Sequence, residues 1–571
     1  MKWNLPTRWI VSALLLTSTV ASAQISPGDL VFRQTFEARS ADNNADAHAF
    51  LQRATFGATN SDIATVRNLG FSRWMDQQMA LPPTLHQPRL AAFGTEYGQN
   101  ERQRVWWDLA LNAEDQLRQR MAFALSQILV VSDVNGDLEG QPLALAAYYD
   151  LLLQNAFGNY RDLLEQVTLT PVMGHYLSMF RSTRDPVAGI EPDENYAREI
   201  MQLFSIGLVE LNLDGSVRLD GQNQPIPTYN QGHIVALAEA FTGWNFAGAD
   251  GGDGDCEPWE WRWPEWNWLA PMEPCIVTRP NQDQPANYHV TSEKIIVGDV
   301  LLPAGQTAEQ DLQQAVDTLF NHPNVGPFLA LRLIQRFVTS NPSPDYVARV
   351  ASTFNNNGSG VRGDLGAVLK AVLLDNEALD GYQMGIAEYG KLREPLLQFM
   401  HFLRTYDAQF NPGFDPNNSW PGAIYRPEGY FGQGALRSPS VFNFFKPDYT
   451  PPGAIETQGL VAPEFQVATE TQVTTMANLY RSVLMQPVWS PGSYPWETHY
   501  RININRLLSM ADDATALTDQ VIDDLLKGRM DPLARQLVID GINDIRVQDS
   551  DLRVAMALYY VVTSPQSMVQ R

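Results

Sequence analysis

The chain predicts a mainly α fold: a large multi-helix unit with long inserted loops and a few short β-hairpins. Three observations carry that expectation. Apolar residues recur at helical spacing through most of the 571 residues; a strand-like alternation stands out only at 211–219; and two long stretches rich in Gly, Pro and aromatics have no periodicity. With 44% hydrophobic and 18% charged residues, the composition is that of an ordinary globular protein and excludes disordered, collagen-like and small disulfide-scaffold classes.

The first 23 residues read as a secretory signal peptide. Lys2 and Arg8 supply the basic start, Trp9 to Val20 the apolar run, and Ala21-Ser22-Ala23 the small-residue cleavage site, so the mature chain is expected to start at Gln24. No later stretch approaches the ~18 apolar residues of a membrane span, so no transmembrane segment is expected after cleavage. Residues 24–44 look like a flexible leader.

From Ala45 the spacing turns helical. Ala47, Phe50, Leu51 and Ala54 form one stripe ended by Gly57; Ser61 opens a second helix and Ser72 a third. The stretch from Arg102 to Val131 has no Gly or Pro and predicts one long helix; 143–153 and 160–169 add more. Leu211 to Leu219 alternates around Asp214-Gly215, a hairpin signal. Helix resumes at 233–242, then at 308–320, 325–338, 344–355, 364–374 and 392–406, and closes the chain at 467–484, 502–510, 514–527, 531–543 and 548–562. Between these lie a Gly-, Asp- and Trp-rich loop at 247–290 and a Pro- and aromatic-rich region at 407–465. Without an internal repeat or a clean linker, 45–565 reads as a single helical domain.

The 64 acidic residues outweigh 40 basic ones, for a net charge of -24. That balance argues against nucleic-acid binding, which needs basic surface. Cys256 and Cys275 are the two cysteines, and in an oxidising compartment they are expected to bridge and close the Trp-rich loop. In the same loop Asp250, Asp253 and Asp255 stand on Gly-rich backbone. Closely spaced carboxylates of this kind suit calcium, a hard ion that takes oxygen ligands, and equally suit a solvated turn. Trp259, Trp261, Trp263, Trp266 and Trp268 either present an aromatic face to a partner or form the loop's own small core.

The most distinctive helix begins after Pro192-Asp193 and ends near Gly207. Its apolar stripe is Tyr196, Ala197, Ile200, Met201, Leu203 and Phe204. Glu194 and Glu199 flank that stripe on opposite sides, and Glu194–Arg198 and Asn195–Glu199 are i,i+4 partners. Either this is a solvated face with an ion pair, or its polar groups line a cleft. His289, beside a loop, is a candidate acid/base group; His175, on an apolar stretch, reads as a core residue.

Several segments together resemble a bacterial family of unknown function, the domain-of-unknown-function 1800 family. They are Arg53-Ala54-Thr55-Phe56-Gly57, the helix from Glu194-Asn195-Tyr196-Ala197-Arg198-Glu199 to Gly207, Ala240-Phe241-Thr242-Gly243-Trp244, and Tyr288-His289 with Glu293-Lys294. Arg426-Pro427-Glu428-Gly429-Tyr430 and Arg437-Ser438-Pro439-Ser440-Val441-Phe442-Asn443-Phe444 complete the match. Two departures stand out. Many members carry a Trp-His-Asn-His-Phe-like segment where this chain has Phe123 to Leu129 without His, and Val290 replaces the usual Asp after His289. The resemblance implies an exported, mostly helical protein and brings no activity with it.

Two functions are expected from these residues. One is an extracytoplasmic hydrolase or lyase acting on a polymer, with Glu194, Glu199 and His289 as acid/base groups and Arg198, Asn195, Arg426 and Glu428 holding substrate. The other is a non-catalytic periplasmic or cell-surface protein that contacts its partner through the Trp-rich loop, ordered by calcium.

Overall fold

About half of the helices begin where a short polar side chain takes up the first free N–H groups. Asn43, Thr59, Asn159, Asn230, Thr307, Ser343 and Asp364 each accept a backbone N–H of the turn that follows, and Thr59 and Thr307 complete reciprocal capping boxes with Asp62 and Gln310. The computed structural model describes residues 43–94, 97–249, 267–277, 286–386, 388–410, 427–485 and 500–571.

The amino-terminal part runs through α1 (Asn44–Ala54), α2 (Asn60–Leu69), α3 (Phe71–Ala80), α4 (Gln87–Ala91), α5 (Gln99–Asn112), α6 (Gln116–Ser126), α7 (Gly136–Glu139), α8 (Pro142–Gln154), α9 (Tyr160–Thr168), α10 (Pro171–Tyr176), α11 (Asn195–Gln202) and α12 (Gln231–Ala240). The middle holds β1 (Trp244–Asn245), β2 (Glu273–Pro274), β3 (Ile276–Val277), β4 (Ala286–Asn287), β5 (Lys294–Ile296) and β6 (Val300–Leu302). Helices α13 (Ala308–Asn321), α14 (Val325–Phe337), α15 (Pro344–Asn355), α16 (Leu365–Leu374) and α17 (Asn376–Asp380) follow. After β7 (Lys391–Leu392) come α18 (Pro395–Thr405), β8 (Gln409–Phe410), α19 (Pro427–Phe431), α20 (Ala454–Thr457), α21 (Glu470–Leu484) and β9 (Tyr500–Arg501). The chain then runs through α22 (Asn505–Leu508), α23 (Ala514–Leu526), α24 (Pro532–Asn543), α25 (Ser550–Val562) and β10 (Val569–Gln570).

The molecule is mainly α. Its strands pair only in antiparallel twos: β1 with β2, β3 with β4, β5 with β6, β7 with β10 and β8 with β9. The 211–219 hairpin is present as an isolated bridge, Leu211 to Val217, turning at Gly215 with φ +81°. One contiguous apolar cluster runs from Ala47 in α1 to Val562 in α25. Its aromatic centre joins distant segments: Trp107 meets Trp106 at 5.6 Å, Phe431 at 5.8 Å and Phe399 at 6.4 Å between ring centres. Among the described residues no helix is long and apolar enough to cross a membrane.

The expected long helix at 102–131 is two helices. Ala113 closes α5 by donating to the Leu109 carbonyl. The Gln116 side chain then donates to the carbonyls of Ala110 and Ala113, and the Leu117 N–H goes to Gln78 of α3. Side chains thus take over the hydrogen bonds that a continuous helix would have kept, an override that spacing cannot reveal. The signal peptide and leader, Asp250, Asp253, Asp255, Cys256, the tryptophans 259–266 and Arg426 lie outside the described residues. Trp268 is described and turns inward, 4.6 Å from the His175 ring and 5.0 Å from Phe246. Cys275 is buried, with its Sγ 3.7 Å from Asn245 Nδ2.

Candidate functional site

Three segments that are remote in sequence converge on one cleft of about 700 Å³. The end of α6 supplies Gln127, Ile128 and Val130; α11 and its continuation supply Gln202, Leu203 and Gly207; the loop after Arg437 supplies Val441, Phe442, Asn443 and Phe445. The opposite wall is α14. Phe328, Leu331, Arg332, Gln335 and Arg336 fall at helical spacing on one face and all line the cleft. Val325, Leu329, Leu333 and Phe337 belong to the core cluster. The size suits a small-molecule ligand or a short stretch of polymer.

The wall is cationic and aromatic together. Arg332 lies over the Phe328 ring at 5.0 Å, Arg336 over Phe445 at 4.4 Å and Lys446 over Phe442 at 5.7 Å. Burial pulls Arg332 down to about 10, and neighbouring Arg336 pulls in the same direction against Asp448. Arg336 is buried, and its Nη1 has no hydrogen-bond partner. Behind it Arg120 donates from Nη2 to the Arg336 carbonyl at 2.8 Å and leaves Nε and Nη1 without partners. Buried guanidinium nitrogens without acceptors are costly.

A buried carboxylate answers part of this charge. Glu394 is wholly enclosed, and its Oε2 accepts from Gln127 and Gln433, both at 2.8 Å. Burial pushes its carboxyl up, but Lys391, Arg336, Arg120 and the Gln433 bond outweigh it, and the net direction is down. Lys391 is held by Glu464 at 2.8 Å and donates to the Gln335 carbonyl at 2.6 Å. Around the cleft, then, Arg120, Arg332, Arg336, Lys391 and Lys446 face Glu394, Glu464 and Asp448. Cations are in excess, in a protein whose overall charge is strongly negative.

Glu199 sits one turn before Gln202 and Leu203. At 100° per residue it lies between them in azimuth, on the α11 face that borders the cleft. It is only 6% exposed and its Oε2 has no hydrogen-bond partner. Burial raises its pKa, with Arg198 acting in the other direction. Tyr176 and Tyr229 are close enough to feel its charge, and Ser438 stands beside the Tyr176 hydroxyl. The solvated-face alternative for Glu199 therefore gives way to a buried carboxyl.

The other expected site residues are placed as follows. Glu194 is half-buried, accepts from Arg198 at 2.8 Å and from Gln231 at 2.9 Å, and so ties α11 to α12. Asn195 is exposed at the start of α11. Glu428 holds Arg437, which reaches Asp133 at 2.8 Å, and Asp133 in turn pairs with buried Arg102 at 2.6 Å. That chain of ion pairs anchors the loop carrying Val441 to Phe445. His289 is buried with Asp311 and Lys294: its Nε2 lies 3.0 Å from Asp311 Oδ2, which also accepts from Lys294 at 2.7 Å, and its Nδ1 faces the Thr242 carbonyl at 3.0 Å. These partners sit on β5, α13 and just past the end of α12, and none of them is on α11. Among the described residues no group of three His, Cys, Asp or Glu side chains is arranged to hold a metal.

Sequence reasoning did not single out Gln127, Arg332, Arg336, Glu394 or Gln433. A signal existed for two of them. Arg332 and Arg336 are charged residues one turn apart in a helix that is otherwise almost wholly apolar, and such a stripe needs a polar space to face. Glu394 and Gln433 had none, because their meeting depends on tertiary packing alone.

Comparison with known proteins adds one finding. A search of curated proteins returned no match, and a search of solved structures returned none. A family profile described as "Protein of unknown function (DUF1800)" matches residues 49–569, nearly the whole chain. The match takes in every segment that builds the cleft, from α6 to the loop after Arg437, and the protein belongs to the DUF1800 family.

Proposed function

We propose that the protein is an exported hydrolase or lyase whose cleft holds a stretch of an anionic polymer, with Glu199 as the proton-transferring group. The observation that carries this reading is the excess of cations in the cleft, above all Arg336 with its buried, unpartnered Nη1 over the Phe445 ring. Guanidinium forks suit the oxygens of carboxylate or sulfate groups, and the ring faces suit the apolar faces of sugar units. Glu199 supports the chemistry, since burial raises its pKa, the direction that suits a carboxyl acting as a general acid toward a departing oxygen. In a hydrolase, water then adds to the carbon that lost its C–O bond. In a lyase, a base removes the neighbouring C–H proton and a double bond forms.

Lys2, Arg8, the apolar run and Ala21-Ser22-Ala23 support export. A Cys256–Cys275 bridge fits the same compartment. The mature protein should be incubated with polyuronates, sulfated glycans and neutral glycans, reading new reducing ends and the ultraviolet absorbance of unsaturated ends. We expect cleavage of a polyanion only. Glu199→Gln should cut turnover by about 10²-fold or more while binding persists. Failure of every polyanion to bind at low ionic strength sinks the proposal.

A further inference from the structure

A second cavity, of about 600 Å³, lies between α1, the loop after α23 and the segment around 565–571. Four cationic side chains line it: Arg393, Lys527, Arg529 and Arg571. Asp531 is the sole carboxylate side chain among its lining residues, and its Oδ1 already accepts the N–H groups of Leu533 and Ala534 at the start of α24.

Arg393 is the decisive residue. It is 7% exposed, its Nη2 donates to Gln52 Oε1 at 2.9 Å, and its Nε has no partner. Among the described residues it has no ion-pair partner, and burial pulls it down to about 10, with Tyr480 acting the other way. Gln52 passes the contact on to His401 at 3.0 Å. Burial and the surrounding cations hold His48 and His401 well below their ordinary values, so both rings are neutral at pH 7 and add no positive charge of their own. Lys527 and Gly528 both turn with positive φ, +53° and +73°, and this backbone carries Lys527 and Arg529 into the cavity lining. Arg529 lies over the Tyr382 ring at 5.0 Å and donates to the main-chain oxygen of Arg571 at 2.9 Å. Leu525, Met530 and Val569 give the same cavity an apolar side.

A buried guanidinium with no ion-pair partner among the described residues, opening on a cavity lined by three more cations, is an arrangement that an anion stabilises. We propose that this cavity is a binding site for a small organic anion, whose phosphate or carboxylate head pairs with Arg393 and whose body rests against Tyr382 and the apolar wall. The site is independent of the cleft and of the polymer-cleaving reading.

The test uses the full mature chain and reads its melting temperature against inorganic phosphate and, separately, succinate, with sodium chloride at matched ionic strength as control. We expect a saturable rise with one of the two, which also tells a phosphate head from a carboxylate head. Arg393→Gln should weaken that binding by more than tenfold. Should Arg393→Gln fail to fold, Arg529→Gln, whose side chain is less enclosed, is read in the same way. Arg336→Met in the cleft should leave the response intact. No rise above the chloride control overturns the proposal. So does a rise undiminished in both Arg393→Gln and Arg529→Gln, or one abolished by Arg336→Met.

Discussion

The cleft around Arg336 and the cluster around His289 are both groups of buried ionisable side chains, and they differ in how their charges are answered. In the cluster Asp311 Oδ2 receives Lys294 and His289 together, and all three side chains are essentially sealed. At the cleft Arg336, which lines the open space, keeps a nitrogen that nothing accepts, and Arg120 behind it keeps two more. Burial alone therefore separates nothing. Charges that answer one another serve the fold, and charges left waiting beside a cavity point to a ligand.

The contrast breaks most visibly at Asp311. Asp311→Ala leaves Lys294 buried without its partner and should cost about 3–5 kcal/mol in chemical unfolding. A loss below about 1 kcal/mol would mean that the cluster is not the sealed ion pair described.

Glu394 comes next, because it compensates three buried cations. Glu394→Gln should cost about 2–4 kcal/mol at pH 7, since it removes a carboxylate that acts on both Arg120 and Arg336 and leaves Arg336 to Glu464. Glu394 also has a folded pKa below its unfolded one, so its stabilisation is present above the ordinary carboxylate range and fades as pH falls through the depressed value. The variant should accordingly show a shallower loss of stability in acid. An unchanged acid limb would remove Glu394 from the account of the cleft.

Gly243→Ala tests the cluster's packing rather than its charge. A Cβ there would lie 2.9 Å from the His289 backbone nitrogen, at φ +89°, and the expected cost is about 1–3 kcal/mol by thermal or chemical unfolding. A neutral result would show that His289 has room to move.

The smallest effect is expected at Glu199, with the opposite sign. Its folded pKa is raised, so stability is lost as pH rises from the ordinary carboxylate range through the raised value. Glu199→Gln removes that cost and should leave the protein equal or up to about 1 kcal/mol more stable at pH 7 while turnover falls. Lost stability together with lost turnover would make Glu199 a structural residue.

Much of the helical architecture was legible in the sequence because caps and apolar spacing are local signals. Helix α15 runs over the same residues as expected, and α14, α23 and α25 differ by a residue or two at an end. The break at Ala113 was not legible, because Gln78, from another helix, takes over the hydrogen bonding. The candidate site was half legible. Glu199 and the Val441–Phe444 segment stood out as motifs, whereas Arg393 and Glu394, neighbours in sequence, part only in the tertiary structure, Arg393 lining one cavity and Glu394 bonding Gln127 of the other. Trp268 shows the limit of composition: it packs onto His175 and Phe246, which the run of tryptophans alone does not reveal.

The β7–β10 pair has a consequence for the order of assembly. Val569 and Gln570 pair with Leu392 and Lys391, and the buried Gln570 side chain donates to the Phe337 carbonyl at the end of α14. The strand that completes this pair is made long after α6, α11 and α14. During synthesis the ribosome must release residue 570 before the floor under Lys391 and Glu394 can close. An emerging chain thus lacks this strand pair over Lys391 until residue 570 is free to dock.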